Sequence, residues 1–349
     1  MTNKPIETDI LVVGAGPVGL FTVFEAGLLG LKCELVDNLD KIGGQCIELY
    51  PEKPIYDIPG VPYQSAEEHV LALEKQISPF EYGLHLNQRV SEIIEEEQDD
   101  INQWKVKTSD GLEFITRNIF IAAGAGSFEP RRPPNINNPD RLIDKGISYS
   151  VRNKDKFKGK NIFIFGGGDS ALDWTVELAS IAKCITLVHR RDKFRGSPNT
   201  ENQMRKLAEA KKVNLRTPYV IEDLIGDEKI SGVRIRNFET QEIVEEECEE
   251  ILFLFGLNKK IGPLVDWNLD LNNKKISVNT ENFQTNLKGV FAVGDINDYP
   301  GKLDLILCGF HETTLAVQKA YQRCFPGEKV PFGYTTSNNK LHEKLGFKE

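Results

Sequence analysis

No two cysteines of this 349-residue chain lie closer than positions 33 and 46; the others stand at 184, 248, 308 and 324. That spacing excludes a Cys-x-x-Cys dithiol and the paired-cysteine patterns of structural zinc, and predicts scattered reduced thiols and no metal. Long apolar runs are also missing. The longest, such as ILFLF at 251–255, have strand length, far short of the roughly 20 residues a spanning helix needs. The start, MTNKPIETD, has neither the basic nor the apolar region of a signal peptide. Positive charge is in deficit, with 43 Lys and Arg against 52 Asp and Glu for a net charge of −9. Generic binding to nucleic acid or anionic membranes is therefore not expected, although a local basic patch could still dock an acidic protein. The length and ordinary composition predict a soluble, cytoplasmic protein of two domains.

What is present is a repeated local pattern. The apolar run Thr8-Asp-Ile-Leu-Val-Val13 leads into Gly14-Ala-Gly16-Pro17-Val-Gly19, then an apolar helical stretch, then a second strand ending at Asp37. In such a strand–GxGxxG–helix–strand–acid unit the glycines let backbone approach a pyrophosphate at the helix N-terminus, and the acid accepts hydrogen bonds from a ribose. Asp37 falls 18 residues after Gly19, as this reading requires.

The pattern recurs at Asn161-Ile-Phe-Ile-Phe165, followed by Gly166-Gly-Gly168-Asp169-Ser170-Ala171 and a strand running into His189-Arg190-Arg191. His189 follows Ala171 by 18 residues, so a basic group stands where the first unit has its acid, with Lys193 and Arg195 close behind. Guanidinium groups there favour a 2′-phosphate and hence NADPH over NADH. Gly166, Gly168, Asp169 and Ser170 are the candidates for the NADPH pyrophosphate end, and His189, Arg190, Arg191 and Arg195 for the phosphorylated ribose. Two dinucleotide sites in one chain suggest an electron relay with FAD in the first. Further expected FAD contacts are Gly44 and Gln45, in a loop just past Asp37, and Asp295, at the end of the strand GVFAVGD.

GAGPVG, GGQ, GGGDSA, HRRDKFR and FAVGDI, in that order, resemble the thioredoxin-reductase-like flavoproteins over essentially the whole chain. The resemblance implies an α/β fold of two Rossmann-like dinucleotide-binding domains in three-layer ββα form. The FAD domain would comprise 1–124 and 252–349, including a C-terminal extension at 325–349, with an NADPH domain inserted at 125–251. The acid-rich stretches at 95–100 and 245–250 are then expected to be solvated loops. In these relatives a redox disulfide lies either shortly before the GGGxSA strand or just after the Gly-Gly turn. Here the first position reads Ser148-Tyr-Ser-Val-Arg-Asn153, and at the second Cys46 faces Pro51 where its partner would stand. Neither dithiol relay can operate, so electrons must leave the flavin for an external acceptor.

Within that group, IGGQCIELYPEKPIYDIPG at 42–60, GGGDSALDW and the tail Tyr334-Thr-Thr-Ser337 resemble the thioredoxin-reductase-like ferredoxin–NADP+ reductases. The resemblance implies a homodimer that moves hydride between NADPH and FAD, and single electrons between FAD and ferredoxin or flavodoxin. It carries FAD contacts onto Asp37, Gln45, Tyr50, Val90, Phe128, Asp295 and Thr336. Tyr50 would stack on one face of the flavin, and Tyr334 from the partner's tail would cover the other. A flavin so placed needs no acid or base residue. Arg131, Arg132 and the lysines at 154, 156, 158 and 160 form the candidate docking patch for an acidic protein. Two alternatives are an NADPH-dependent reductase of a small disulfide or quinone, and a nucleotide-binding redox sensor without turnover.

Overall fold

A computed structural model describes residues 4–98, 101–134, 136–331, 333–344 and 346. The chain divides into two compact units, one made of Met1–Ser127 with Lys260–Glu349 and the other of Phe128–Lys259.

The first unit is built on a seven-stranded sheet. Four of its strands run parallel, in the order Tyr82–His85, Cys33–Val36, Ile6–Val13 and Glu113–Ile121, with Val290–Ala292 pairing parallel to the last. The strands Ile101–Thr108 and Val90–Gln98 extend it in antiparallel fashion. The central strands read as continuous apolar runs because both faces are covered. Successive residues alternate between faces, so Ile10 and Val12 join one core cluster and Leu11 the other. On the first face lie helices Pro17–Leu28, Ala66–Ile77 and Ile306–Cys324, through Leu20, Val23, Val70, Leu73, Ala316 and Val317. The opposite face is closed by Trp104, Val106, Leu264 and Trp267. Ser65 and Glu68 close a capping box that starts the helix Ala66–Ile77.

The second unit has a five-stranded parallel sheet in the order Ile147–Ser148, Glu250–Phe253, Asn161–Phe165, Cys184–Val188 and Val213–Arg216. Alternation decides its layers too. Ile162 and Ile164 pack with Leu172, Trp174 and Met204 of the helices Asp169–Leu178 and Pro198–Glu209. Phe163 and Phe165 pack with Ile221, Val233 and Ile235 of a three-stranded antiparallel sheet. The second unit thus stacks helices, a parallel sheet and a separate antiparallel sheet, whereas in the first the antiparallel strands extend the main sheet.

The acid-rich stretches are not loops. Residues 95–98 belong to the strand Val90–Gln98, while 99 and 100 lie outside the described residues. Residues 245–247 belong to the strand Ile243–Glu247, whose side chains alternate between exposed and half-buried. Their glutamates lie on solvent-facing edges, where a carboxylate needs no internal partner. Glu250 is the exception, and only 3% of its surface is exposed. Within the tail, Leu341 of the helix Asn339–Lys344 is buried in the first unit's core.

Candidate functional site

In the first unit the turn after Ile6–Val13 is shaped by contacts that only glycine allows. Gly14 has φ +113°, and a Cβ there would lie 2.4 Å from the Ala122 carbonyl oxygen. A Cβ on Gly19 would lie 1.8 Å from the Gly14 carbonyl oxygen, so the first turn of the helix sits directly on the loop. Gly16 is the reverse case. It caps the helix Pro17–Leu28 without any side-chain hydrogen bond, and a Cβ there would meet nothing within 4 Å. Pro17 at the first helical position has no N–H to leave unpaired. The result is a bare helix N-terminus facing open space, a ready anion cradle.

Around that N-terminus the chain gathers most of the predicted residues. Asp37 Oδ2 accepts from the Ala15 amide at 2.5 Å, and Oδ1 accepts from the Leu39 amide at 2.8 Å. Burial pushes the Asp37 carboxyl up, and these backbone N–H groups pull it back. Gly43 N donates to Ala15 O at 2.7 Å, which brings Gly44 against Gly16 and starts the helix Gln45–Leu49. The Gln45 amide nitrogen lies 3.2 Å from where a Cβ of Gly124 would be. Tyr50 ends that helix with its hydroxyl 3.9 Å from Cys46 Sγ. Burial, first of all, raises both the Tyr50 phenol and the Cys46 thiol, the latter to about 11, and the charge of Asp295 adds to each. Asp295 is therefore within electrostatic reach of Cys46 and Tyr50. Its neighbour Gly294 packs on Val18 of the same bare helix end.

The four remaining predicted residues lie on or beside other elements. Val90 is buried in the core with Leu11 and Val36, and its strand follows Gln88, whose amide donates to Asp37 O. Tyr334 and Thr336, in and beside the short turn Thr335–Ser337, are exposed, Tyr334 with 72% of its surface in solvent. The side chain of Phe128 lies outside the described residues; its backbone is in the strand Ser127–Pro130. All six cysteines are free.

The second unit repeats the turn with different surroundings. A Cβ on Gly166 would lie 2.5 Å from the Leu254 carbonyl oxygen, whereas Gly168 caps the helix Asp169–Leu178 with no side-chain bond and faces open space. Gly167 was missed as a site residue; a Cβ there would lie 2.3 Å from the His189 ring. The loop 189–197 folds back onto the turn: Arg195 N donates to Gly167 O at 2.7 Å, and Ser197 N to Asp169 Oδ1 at 2.8 Å. His189 stacks on Phe194, with ring centroids 5.2 Å apart. Burial and then the charge of Arg190 lower its pKa, so the ring is neutral near pH 7. Ser170, Arg190, Arg191, Lys193 and Arg195 are exposed. No carboxylate among the described residues pairs with those four cationic side chains, whereas Asp192 between them binds Arg205 and Thr217. A bare helix N-terminus beside exposed guanidinium groups is an arrangement able to receive an anion.

The lysines of 154–160 are partly committed elsewhere. Lys160 Nζ lies 2.7 Å from Glu250 Oε1 and Lys156 Nζ 3.5 Å from Oε2. A buried carboxylate requires such counterions. Arg132 pairs with Asp140 at 2.8 Å and lies 4.6 Å above the Tyr149 ring. Of the four lysines Lys158 is the exposed one, and the others are half-buried.

The model of the pyridine nucleotide-disulphide oxidoreductases matches residues 8–322. The chain is 47% identical to a ferredoxin–NADP reductase of Pelagibacter ubique, covering 99% of this chain and all of that protein. A ferredoxin–NADP reductase of Mesorhizobium japonicum is 48% identical, covering 98% of both chains. Among solved structures, thioredoxin reductase of Lactococcus lactis superposes with a TM-score of 0.73 at 25% identity, over 90% of this chain and 98% of that one. Thioredoxin reductase of T. acidophilum, at 19% identity, shares the fold with a TM-score of 0.74, over 91% of this chain and 99% of that one.

Proposed function

The chain belongs to the pyridine nucleotide-disulphide oxidoreductase family, and from that premise we propose that it is a ferredoxin–NADP+ reductase. FAD binds the unit that carries the first turn, and NADPH the unit that carries the second. The observation that carries this reading is the contrast between two bare helix N-termini, one answered by Asp37 and the other by unpaired Arg190, Arg191 and Arg195. Gly14, Gly16 and Gly19 let the FAD pyrophosphate approach the amides at the head of Pro17–Leu28, and Asp37 accepts from the adenosine ribose. Gly44 approaches Gly16, and Asp295 lies within electrostatic reach of Tyr50, which supports a role for these residues and Gln45 in orienting the remainder of the cofactor. Tyr50 presents a half-buried ring whose raised phenol stays protonated, so it stacks and excludes water without adding charge. Bound FAD supplies the chemistry that connects two-electron transfer with NADPH to one-electron transfer with an iron–sulfur or FMN protein.

In the second unit Gly166, Gly168 and Ser170 receive the NADPH pyrophosphate. The guanidinium groups grip the 2′-phosphate, and His189 and Asp169 hold the loop that carries them. Cys46 forms no disulfide and its thiol is held protonated, which supports an external acceptor. That acceptor is ferredoxin or flavodoxin, met in the cytoplasm. The exposed Tyr334 and Thr336 suit a homodimer in which each tail covers the flavin of the other copy.

The direct test is anaerobic reduction of the purified protein. A yellow protein with one FAD per chain, bleached rapidly by NADPH and far more slowly by NADH, is expected. A colourless protein, or equal rates with the two nucleotides, would refute the assignment of the two sites.

A further inference from the structure

Helix Ile306–Cys324 buries one carboxylate completely. Glu312 lies on the face formed by Gly309, Thr313 and Ala316, and none of its surface is exposed. It gathers four donors from the segment that precedes the helix. Oε2 accepts from Gly294 N at 2.7 Å and Asn297 Nδ2 at 2.8 Å, and Oε1 from the Tyr299 hydroxyl at 2.9 Å and Lys302 Nζ at 2.5 Å. The Lys302 side chain is itself only 3% exposed, and its Nζ lies 5.5 Å from the Tyr299 ring centroid. Taking both charges out of water is costly, and apolar residues of similar size often serve stability as well. What the pair does is specific. It pins the backbone N–H of Gly294, which has φ +78°, and so sets where the next residue, Asp295, stands.

We infer that Glu312, neutralised by Lys302, is a positioning residue for FAD, holding the loop at 294–302 so that Asp295 meets the cofactor beside Tyr50. This rests on the FAD reading of the first unit. The ion pair carries no net charge, so it leaves the acidic field of Asp295 and Asp57 at Tyr50 uncancelled. Removing one partner both loosens the loop and leaves a buried charge of known sign.

The test compares Glu312→Gln, Lys302→Met and the double variant, by FAD binding to the apoprotein and by the flavin midpoint potential of the reconstituted protein. Each single variant should bind FAD about tenfold more weakly or worse, the scale of one lost charge-assisted hydrogen bond. The potential should move positive in Glu312→Gln, where the lysine is uncompensated, and negative in Lys302→Met, where the carboxylate is. In the double variant it should return toward wild type while FAD binding stays weakened. If neither single variant folds, the double variant decides, because it buries no unpaired charge. Wild-type affinity there would overturn the inference. So would folded single variants that lose thermal stability but keep wild-type affinity and potential, since the pair would then be structural only. A wild-type apoprotein that takes up no FAD would overturn the FAD reading itself, a result distinct from the others.

Discussion

The two dinucleotide turns share a backbone plan but differ in what closes them. In the first, Gly19 is obligatory because the helix rests on the Gly14 carbonyl, and the polar end is an aspartate already held by the amides of Ala15 and Leu39. In the second, the matching position is Ala171, and the polar end is a histidine wedged between Gly167 and Phe194 with unpaired arginines beyond it. The first site is therefore tight and preset, suited to a cofactor that stays. The second is held by a folded-back loop and bristles with exposed charge, suited to a substrate that comes and goes.

Exchanging features between the turns should break this contrast, and the largest effect is expected in the first. Gly19→Ala places a methyl group 1.8 Å from a backbone oxygen, so FAD retention should be abolished, as read by the absorbance of the purified protein. Ala171→Gly in the second turn should cost only about 1–2 kcal/mol in thermal unfolding, from glycine in a helix plus one lost buried methyl. Next in size, the Arg190→Ala/Arg191→Ala variant should lose about ten- to a hundredfold in kcat/KM for NADPH. Its kcat/KM for NADH should barely change, and a parallel loss with both nucleotides would contradict the 2′-phosphate assignment.

Asp37→Asn should weaken FAD binding about tenfold, through the lost charge-assisted bonds. The variant should leave the NADPH preference intact, which stopped-flow reduction of the FAD-saturated protein would check. The smallest effect is in pH. His189 is depressed by burial and by Arg190, so it is neutral in the free protein near pH 7. A bound phosphate favours its protonated form, so KM for NADPH should fall a few-fold between about pH 8 and about pH 6.5. In His189→Gln that slope should vanish. Stability runs the other way: the unfolded chain takes up this proton more readily, so His189 lowers stability as pH falls through the ordinary histidine range.

Much of this was legible because the signals are local. Strand, glycine turn, helix and sugar-end residue lie within a short stretch of chain, and their physical roles follow from backbone geometry alone. Gly14, Gly16, Asp37, Gly168 and His189 could all be read that way. Lys156 and Lys160 could not, because their partner Glu250 lies 90 residues beyond Lys160 and its burial is set by sheet order. Gly167 looked like one glycine among three until His189 came to rest on it. Glu312 carried a faint signal, an acid on the otherwise small and apolar face of a helix, but its four donors come from a loop with no regular pattern.

The measurement closest to the central claim is anaerobic, NADPH-driven reduction of cytochrome c with and without added ferredoxin, beside thioredoxin plus a disulfide dye. One-electron delivery without an internal dithiol predicts a large gain from ferredoxin and no disulfide reduction. Rapid turnover of the disulfide with no response to ferredoxin or flavodoxin would contradict it.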